Sequence, residues 1–229
     1  MARPQDATQR VARASVASVS VTVPAALVVM AKAPVPGRSK TRLCPPLQPA
    51  EAAAIAEAAL ADTLQAVAWT PAARRIVALD GARGAWLPHG FEVIAQRGAS
   101  LGERLANAVT DVGEPRLLLG MDTPQLTRAL LRDALERLGA PHADAVIGPC
   151  DDGGYWTIGL ATPDPHVFDG VPMSSATTAA RQRARLRELG LRTTELACLR
   201  DVDTFADAVA VAALAPWTRF AATLELVTG

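Results

Sequence analysis

The chain is poor in aromatic residues and cysteine, and it carries no net charge. Aromatics are 4% of its 229 residues against 50% hydrophobic residues overall, so the core must be built mainly of Ala, Val and Leu. The three cysteines, Cys44, Cys150 and Cys198, are odd in number and far apart. That excludes a disulfide framework, and no C-x-x-C spacing suggests structural zinc. A reducing, cytoplasmic compartment is the expectation. Lys+Arg and Asp+Glu both total 23, which argues against nucleic acid or an anionic membrane as a bulk electrostatic partner while leaving room for a local anion site. No stretch is long and apolar enough for stable membrane insertion.

Near the start, Arg3, Arg10 and Arg13 precede a charge-free stretch over residues 14–31, and Ala31-Lys32-Ala33 has the small-x-small form of a cleavage site. This is the outline of a signal peptide. Against it, residues 14–22 are Ser-rich and weakly apolar, and Pro24 interrupts them. The reading adopted is a disordered leader, residues 1–23, followed by one α/β domain, residues 24–229, whose folding is expected to survive removal of the leader.

The domain is organised around PRLLLGMDTP, residues 115–124. Leu117, Leu118 and Leu119 form a short apolar run that stops at Gly120 and delivers Asp122 into a turn before Pro124. This pattern predicts a buried strand with one carboxylate at its C-terminal end, the edge where open α/β sheets bind ligands. Further strands are expected at residues 25–31, 75–79, 91–95, 143–148, 155–160 and 192–196. Helices are expected at 49–69, 101–112, 127–138, 175–189, 205–214 and 217–226, the helix at 205 capped by Thr204 or Asp203. Alternating strands and helices predict a mainly parallel sheet with helices on both faces. The Asp151-Asp152-Gly153-Gly154 turn, with a strand on either side, adds one local antiparallel insertion.

Four groups of residues can carry chemistry. The loop after the first strand, KAPVPGRSKTRL, holds Lys32, Arg38, Lys40 and Arg42, and no acid occurs between Pro24 and Ala50. It lacks both the G-x-G-x-x-G and the P-loop patterns. Its position and cations still suit phosphates, with Gly37 permitting close backbone approach; the plain alternative is a solvated basic loop. Asp122 suits Mg2+ or Mn2+, which prefer oxygen ligands, and the alternative is a turn aspartate bonded to its own backbone. Of Asp151 and Asp152, one can ligate or act as a base while the other caps an ordinary hairpin turn. Asp201 and Asp203, with one residue between them, share a side of an extended backbone, so either could supply a second metal oxygen unless both serve a helix N-terminus. The histidines, His89, His142 and His166, read as surface residues.

MAKAPVPGRSKTRL, GMDTP, GPCDDGGYWTIGL and DVDT, in that order, resemble a bacterial family of GT-A-like transferases. It is known as DUF2064 and includes arsenosugar-type glycosyltransferases. The family is similar to the nucleotide-diphospho-sugar transferase superfamily and to nucleotidyltransferases such as the phospholactate guanylyltransferases. The resemblance implies a single GT-A, Rossmann-like domain with a nucleotide in the first half of the sheet and a divalent metal at Asp122. Two positions depart from the family pattern: Gly120 stands where a D-x-D motif needs an acid, and Met173 stands where Trp is expected.

The function expected is transfer from a nucleotide-activated donor, an NDP-sugar, to a small acceptor. The alternatives are nucleotidyl transfer from an NTP to a phosphorylated acceptor and non-catalytic nucleotide binding on the same fold. Expected roles are phosphate binding by Ala31, Lys32, Pro36, Gly37, Arg38, Lys40 and Arg42, and metal binding by Asp122 and Asp203. Asp152 and Lys40 are the catalytic candidates, and Asp151, Gly153, Gly154 and Tyr155 the acceptor side.

Overall fold

The computed structural model describes residues 25–229, so the expected leader lies outside the described residues. The first strand, β1 (Ala26–Lys32), is buried at every position but its last. Such a strand needs a partner on each edge and cover on each face. β2 (Arg75–Asp80) pairs parallel with it on one edge and β4 (Arg116–Leu119) on the other. β3 (Glu92–Ala95), β5 (Ala145–Pro149), β6 (Tyr155–Leu160) and β7 (Thr193–Glu195) complete a seven-stranded sheet of order β3-β2-β1-β4-β6-β5-β7. Only β6 runs against the rest, and it is joined to β5 through the DDGG turn. Strand order reverses direction between β1 and β4, which opens a crevice at their C-terminal ends.

The alternation of β1 divides the core into two layers. Leu27, Val29 and Ala31 meet Leu60 and Leu64 of α1 (Pro49–Trp69) and Leu131 and Ala134 of α3 (Arg128–Leu138). Ala26, Val28 and Met30 meet Leu105 and Val109 of α2 (Leu101–Val112) and Leu186 of α4 (Thr178–Glu188). Helices therefore cover both faces. α1 also packs outward, through Ile55 and Ala59, on α5 (Phe205–Leu214) and α6 (Arg219–Thr228). Burial on two sides accounts for its many alanines, which let neighbouring elements approach closely while favouring helix.

Element positions follow the expected ones closely, with one instructive exception. α4 begins at Thr178 rather than at residue 175. Ser174 has φ 54°, which a right-handed helix cannot include, and the Ser175 hydroxyl accepts from the Thr177 amide at 3.3 Å. Serine and threonine side chains here bond the backbone that a helix turn would otherwise use. All three cysteines are free, and no described helix is long and apolar enough to cross a membrane.

Candidate active site

Strand ends supply the floor of a cavity of about 640 Å³. β1 brings Lys32, β2 brings Asp80, the turn after β4 brings Met121 and Asp122, and the end of β5 brings Cys150 and Asp152. A smaller cavity of about 230 Å³ adjoins it and shares Lys32, Arg42, Met121, Asp122 and Asp203 with it. The cationic loop forms the wall of the smaller one.

That loop is held in place by its own bonds. The Ser39 hydroxyl donates to Ala33 O and accepts from the Val35 amide, both at 3.0 Å, and Lys32 Nζ donates to Arg38 O at 2.9 Å. Leu43 and Leu47 anchor its far end in the layer formed by α1, α5 and α6. Gly37 takes φ 72°, as its turn requires. Lys40 is also left-handed, at φ 48° and ψ 39°, an uncommon conformation for a residue with a side chain.

Lys40 is the centre of the charge arrangement. Its ammonium lies 2.8 Å from Asp122 Oδ1 and 4.0 Å from Asp203 Oδ1, and it donates to Val202 O; its side chain is only 8% exposed. Burial works against the ammonium, but Asp122, Asp201 and Asp203 outweigh it and hold the Lys40 pKa above its ordinary value. Arg42 pairs with Asp203 Oδ2 at 2.7 Å. Asp152, Asp201 and Asp203 each bring a carboxylate oxygen within 4.8 Å of the others. Burial, then the Asp122 carboxylate, push the Asp201 carboxyl well above the usual range. Asp152, Asp201 and Asp203 thus form an all-oxygen donor set of the kind that fits Mg2+ or Mn2+, and Asp122, held on Lys40, stands beside it.

The other wall carries Tyr155, Met173, Ser174, Ser175 and Thr178. Tyr155 Oη contacts Gln182 Oε1 at 3.3 Å, and burial raises its pKa. Beyond β1, Asp80 pairs with Arg104 of α2 at 2.8 Å, and the Gln96 side-chain amide donates to Ala31 O and Ala78 O, both at 2.9 Å.

The structure therefore brings Ala31, Lys32, Arg38, Lys40, Arg42, Asp122, Asp152, Asp203, Gly154 and Tyr155 to these two cavities. Pro36 and Gly37 line neither. Asp151 also lines neither and pairs instead with Arg200 at 2.7 Å. Gly153 is structural: with φ 89° it packs its Cα face on the Ala176 carbonyl, and its own carbonyl accepts the Ala179 amide at 2.8 Å. Gly153→Ala is expected to cost about 1–3 kcal/mol from the left-handed backbone alone. A thermal melt showing no loss would contradict this. Asp201, a candidate beside Asp203 in the sequence, lines the larger cavity, and the residues added by the structure are Asp80, Gln96, Arg104 and Ser174. Asp80 ends a strand as Asp122 does and could have been found by the same signal; Arg104, on a helix, could not.

A mainly parallel sheet with one reversed strand, covered on both faces and open at its strand ends onto cations and carboxylates, defines a GT-A-like domain of the nucleotide-diphospho-sugar transferase type. Within that class, the chain belongs to the DUF2064 family, described as uncharacterized proteins conserved in bacteria, whose model matches residues 54–175. The matched span includes Asp122 and Asp152. The chain is similar to a protein from Desulfovibrio desulfuricans G20 assigned to the nucleotide-diphospho-sugar transferases, with 29% identity, TM-score 0.80 and coverage of 88% of this chain and 94% of that one. Rv0371c from Mycobacterium tuberculosis H37Rv, solved with manganese, shares the fold at 22% identity and TM-score 0.53, over 83% and 98% of the two chains. So does 2-C-methyl-D-erythritol 4-phosphate cytidylyltransferase from Thermus thermophilus, at 16% identity and TM-score 0.52, over 85% and 100%. A search of curated proteins finds no match.

Proposed function

We propose that the protein is a divalent-metal-dependent transferase that moves a sugar from a nucleoside diphosphate to a hydroxyl of a small, uncharged acceptor. The observation that carries this reading is the meeting of the cationic loop with Asp122, Asp152, Asp201 and Asp203 at one sheet edge. The relative assigned to nucleotide-diphospho-sugar transferases and the manganese-bound structure of the same fold support it.

In this reading Lys32, Arg38, Lys40 and Arg42 bind the diphosphate from the smaller cavity. Asp122 and Asp203 hold the metal, with Asp201 within reach. A divalent ion bound there supplies Lewis-acid stabilisation of charge on the leaving diphosphate. Asp152, in the larger cavity, accepts the proton of the attacking hydroxyl. The Asp80–Arg104 pair and Gln96 border the β1–β3 end of the cavity, where they would orient the nucleoside.

The second reading, nucleotidyl transfer, is favoured by Gly120, which leaves Asp122 without the acid partner of a D-x-D motif. In its guanylyltransferase-like form it takes a phosphorylated acceptor. Among the described residues, the acceptor wall formed by Asp152, Tyr155, Met173, Ser174, Ser175 and Thr178 holds no Lys or Arg. The amides that begin α4 are also occupied: Thr177 N by Ser175 Oγ, Thr178 N by Ser175 O and Ala179 N by Gly153 O. A hydroxyl is the better match for that wall.

A thermal-shift panel of NDPs, NTPs and NDP-sugars, with and without Mn2+, tests the choice. A ligand at 100 times its Kd adds about 2.7 kcal/mol. The expected result is a metal-dependent rise in Tm with one NDP and its sugar conjugates. A rise confined to an NTP would select nucleotidyl transfer, and no rise with any nucleotide would remove the reading.

A further inference from the structure

Lys40 is placed in a way that phosphate binding alone does not explain. Its ammonium lies 2.8 Å from Asp122, donates to Val202 O and lies 4.0 Å from Asp203. It is almost entirely buried there, and its backbone is left-handed. The chain has only two lysines among its 23 basic residues, and both, Lys32 and Lys40, stand in this loop. A lysine ammonium is a compact point charge on a flexible stem, the cation best suited to change partners, whereas a guanidinium is a planar fork. The adjoining cavity of about 230 Å³, where Lys32, Arg38 and Arg42 also stand, gives that ammonium a second place to go.

We infer that Lys40 is an internal counter-cation: it holds Asp122 and Asp203 in the metal-free protein and leaves them for the divalent metal once nucleotide phosphates take its ammonium. This rests on the reading of Asp122 and Asp203 as metal ligands. Removing a buried partner from a carboxylate is costly, so Asp122 is kept neutralised until donor phosphates arrive. The metal alone must displace Lys40 without compensation and binds weakly. Diphosphate supplies the compensation, so metal and nucleotide bind in a coupled way, beyond whatever direct contact they make. Arg42 is different. It also pairs with Asp203, but its side chain is 68% exposed, so its removal alters the same formal charge without releasing a buried site.

Two measurements test this. The first is calorimetric titration of Mn2+ alone into wild type, Lys40→Met and Arg42→Met, with circular dichroism confirming folded protein. Lys40→Met is expected to bind Mn2+ at least about 10-fold more tightly than wild type, in the range typical of coupling between sites. Arg42→Met should change it less than about 3-fold, as befits an exposed pair. Equal gains in the two variants would mean that net charge alone matters, and would overturn the inference. The second measurement needs no variant. With two lysines, protein labelled with [15N]lysine gives two Nζ resonances. Adding an NDP that raises the wild-type Tm is expected to shift the Lys40 resonance, while about 1 mM Mg2+ alone leaves it in place. An NDP that binds without moving it would also overturn the inference and leave the metal site standing. Wild type that takes up no Mn2+ even with NDP would instead refute the metal-site reading, and the inference with it.

Discussion

Asp122→Asn is expected to lower kcat/KM by at least about 10²–10³-fold, the loss seen when one group that stabilises developing charge is removed. Asp122 is the carboxylate on which both halves of the site depend. It stands in the turn after β4, it is the nearest carboxylate to Lys40, and it borders both cavities. Asparagine keeps its size and one oxygen, but it removes the charge that a divalent ion needs and leaves the Lys40 ammonium with Asp203 at 4.0 Å and a backbone carbonyl. The loss should fall on kcat as well as on KM, because charge builds up on the leaving diphosphate only as the bond breaks. The Mn2+-dependent part of the nucleotide-induced rise in Tm should disappear with it. Steady-state kinetics with the donor identified by the thermal-shift panel decides this. Activity within about 3-fold of wild type, with the metal-dependent shift intact, would move the metal site away from Asp122.

Phe220→Ala should be the most damaging of the simple core truncations, at about 3–5 kcal/mol. In a chain of this size that lowers Tm by roughly 6–20 °C. Phe220 is fully buried at the start of α6, in the cluster that also holds Ile55 of α1, Leu43 of the cationic loop and Val202. Its amide donates to Asp62 Oδ2 of α1 at 2.8 Å, so the residue ties α6 to α1 by backbone as well as by side chain. Leu43 and Val202 connect this layer to the site: Leu43 ends the turn that begins at Lys40, and Val202 separates Asp201 from Asp203. The variant should therefore weaken nucleotide binding as well as lower Tm. Leu226→Ala, at a position 83% exposed on the same helix, is the control and should change stability by less than about 0.5 kcal/mol. Equal melts for the two variants would show that α6 is not part of the cooperative unit.

Much of the architecture was legible in residue order because the signals are local. Runs such as ALVVMAK and RLLL are too apolar and too short for anything but buried strands. The DDGG turn between two apolar stretches predicted the reversed strand, β6. Local signals misled where side chains compete with the backbone. The Ser-rich approach to α4 read as helix, yet the hydroxyls of Ser175 and Thr178 take up the amides there. The sequence also left the cap of α5 open between Asp203 and Thr204. The structure gives it to Thr204, whose hydroxyl accepts from the Asp207 amide, and this leaves the Asp203 carboxylate facing Arg42 and Lys40.

What the sequence by itself determined is an α/β domain with cations after the first strand, a carboxylate after the fourth and an acid pair spaced to share one side. Each of these depends on neighbours a few residues away, through hydrophobic periodicity, turn chemistry or the alternation of an extended backbone. Only the tertiary structure decided which of those charges meet. Lys40 and the Val202 carbonyl are 162 positions apart along the chain, and the Asp80–Arg104 pair joins a strand end to a helix. Backbone bonds from Leu199 N to Pro149 O and from Val202 N to Asp122 O carry the 201–203 segment to Asp152 and Asp122, and strand order places β1 beside β4. Electrostatic partnership depends on distance in space and on exclusion of water, and neither is a property of spacing along the chain.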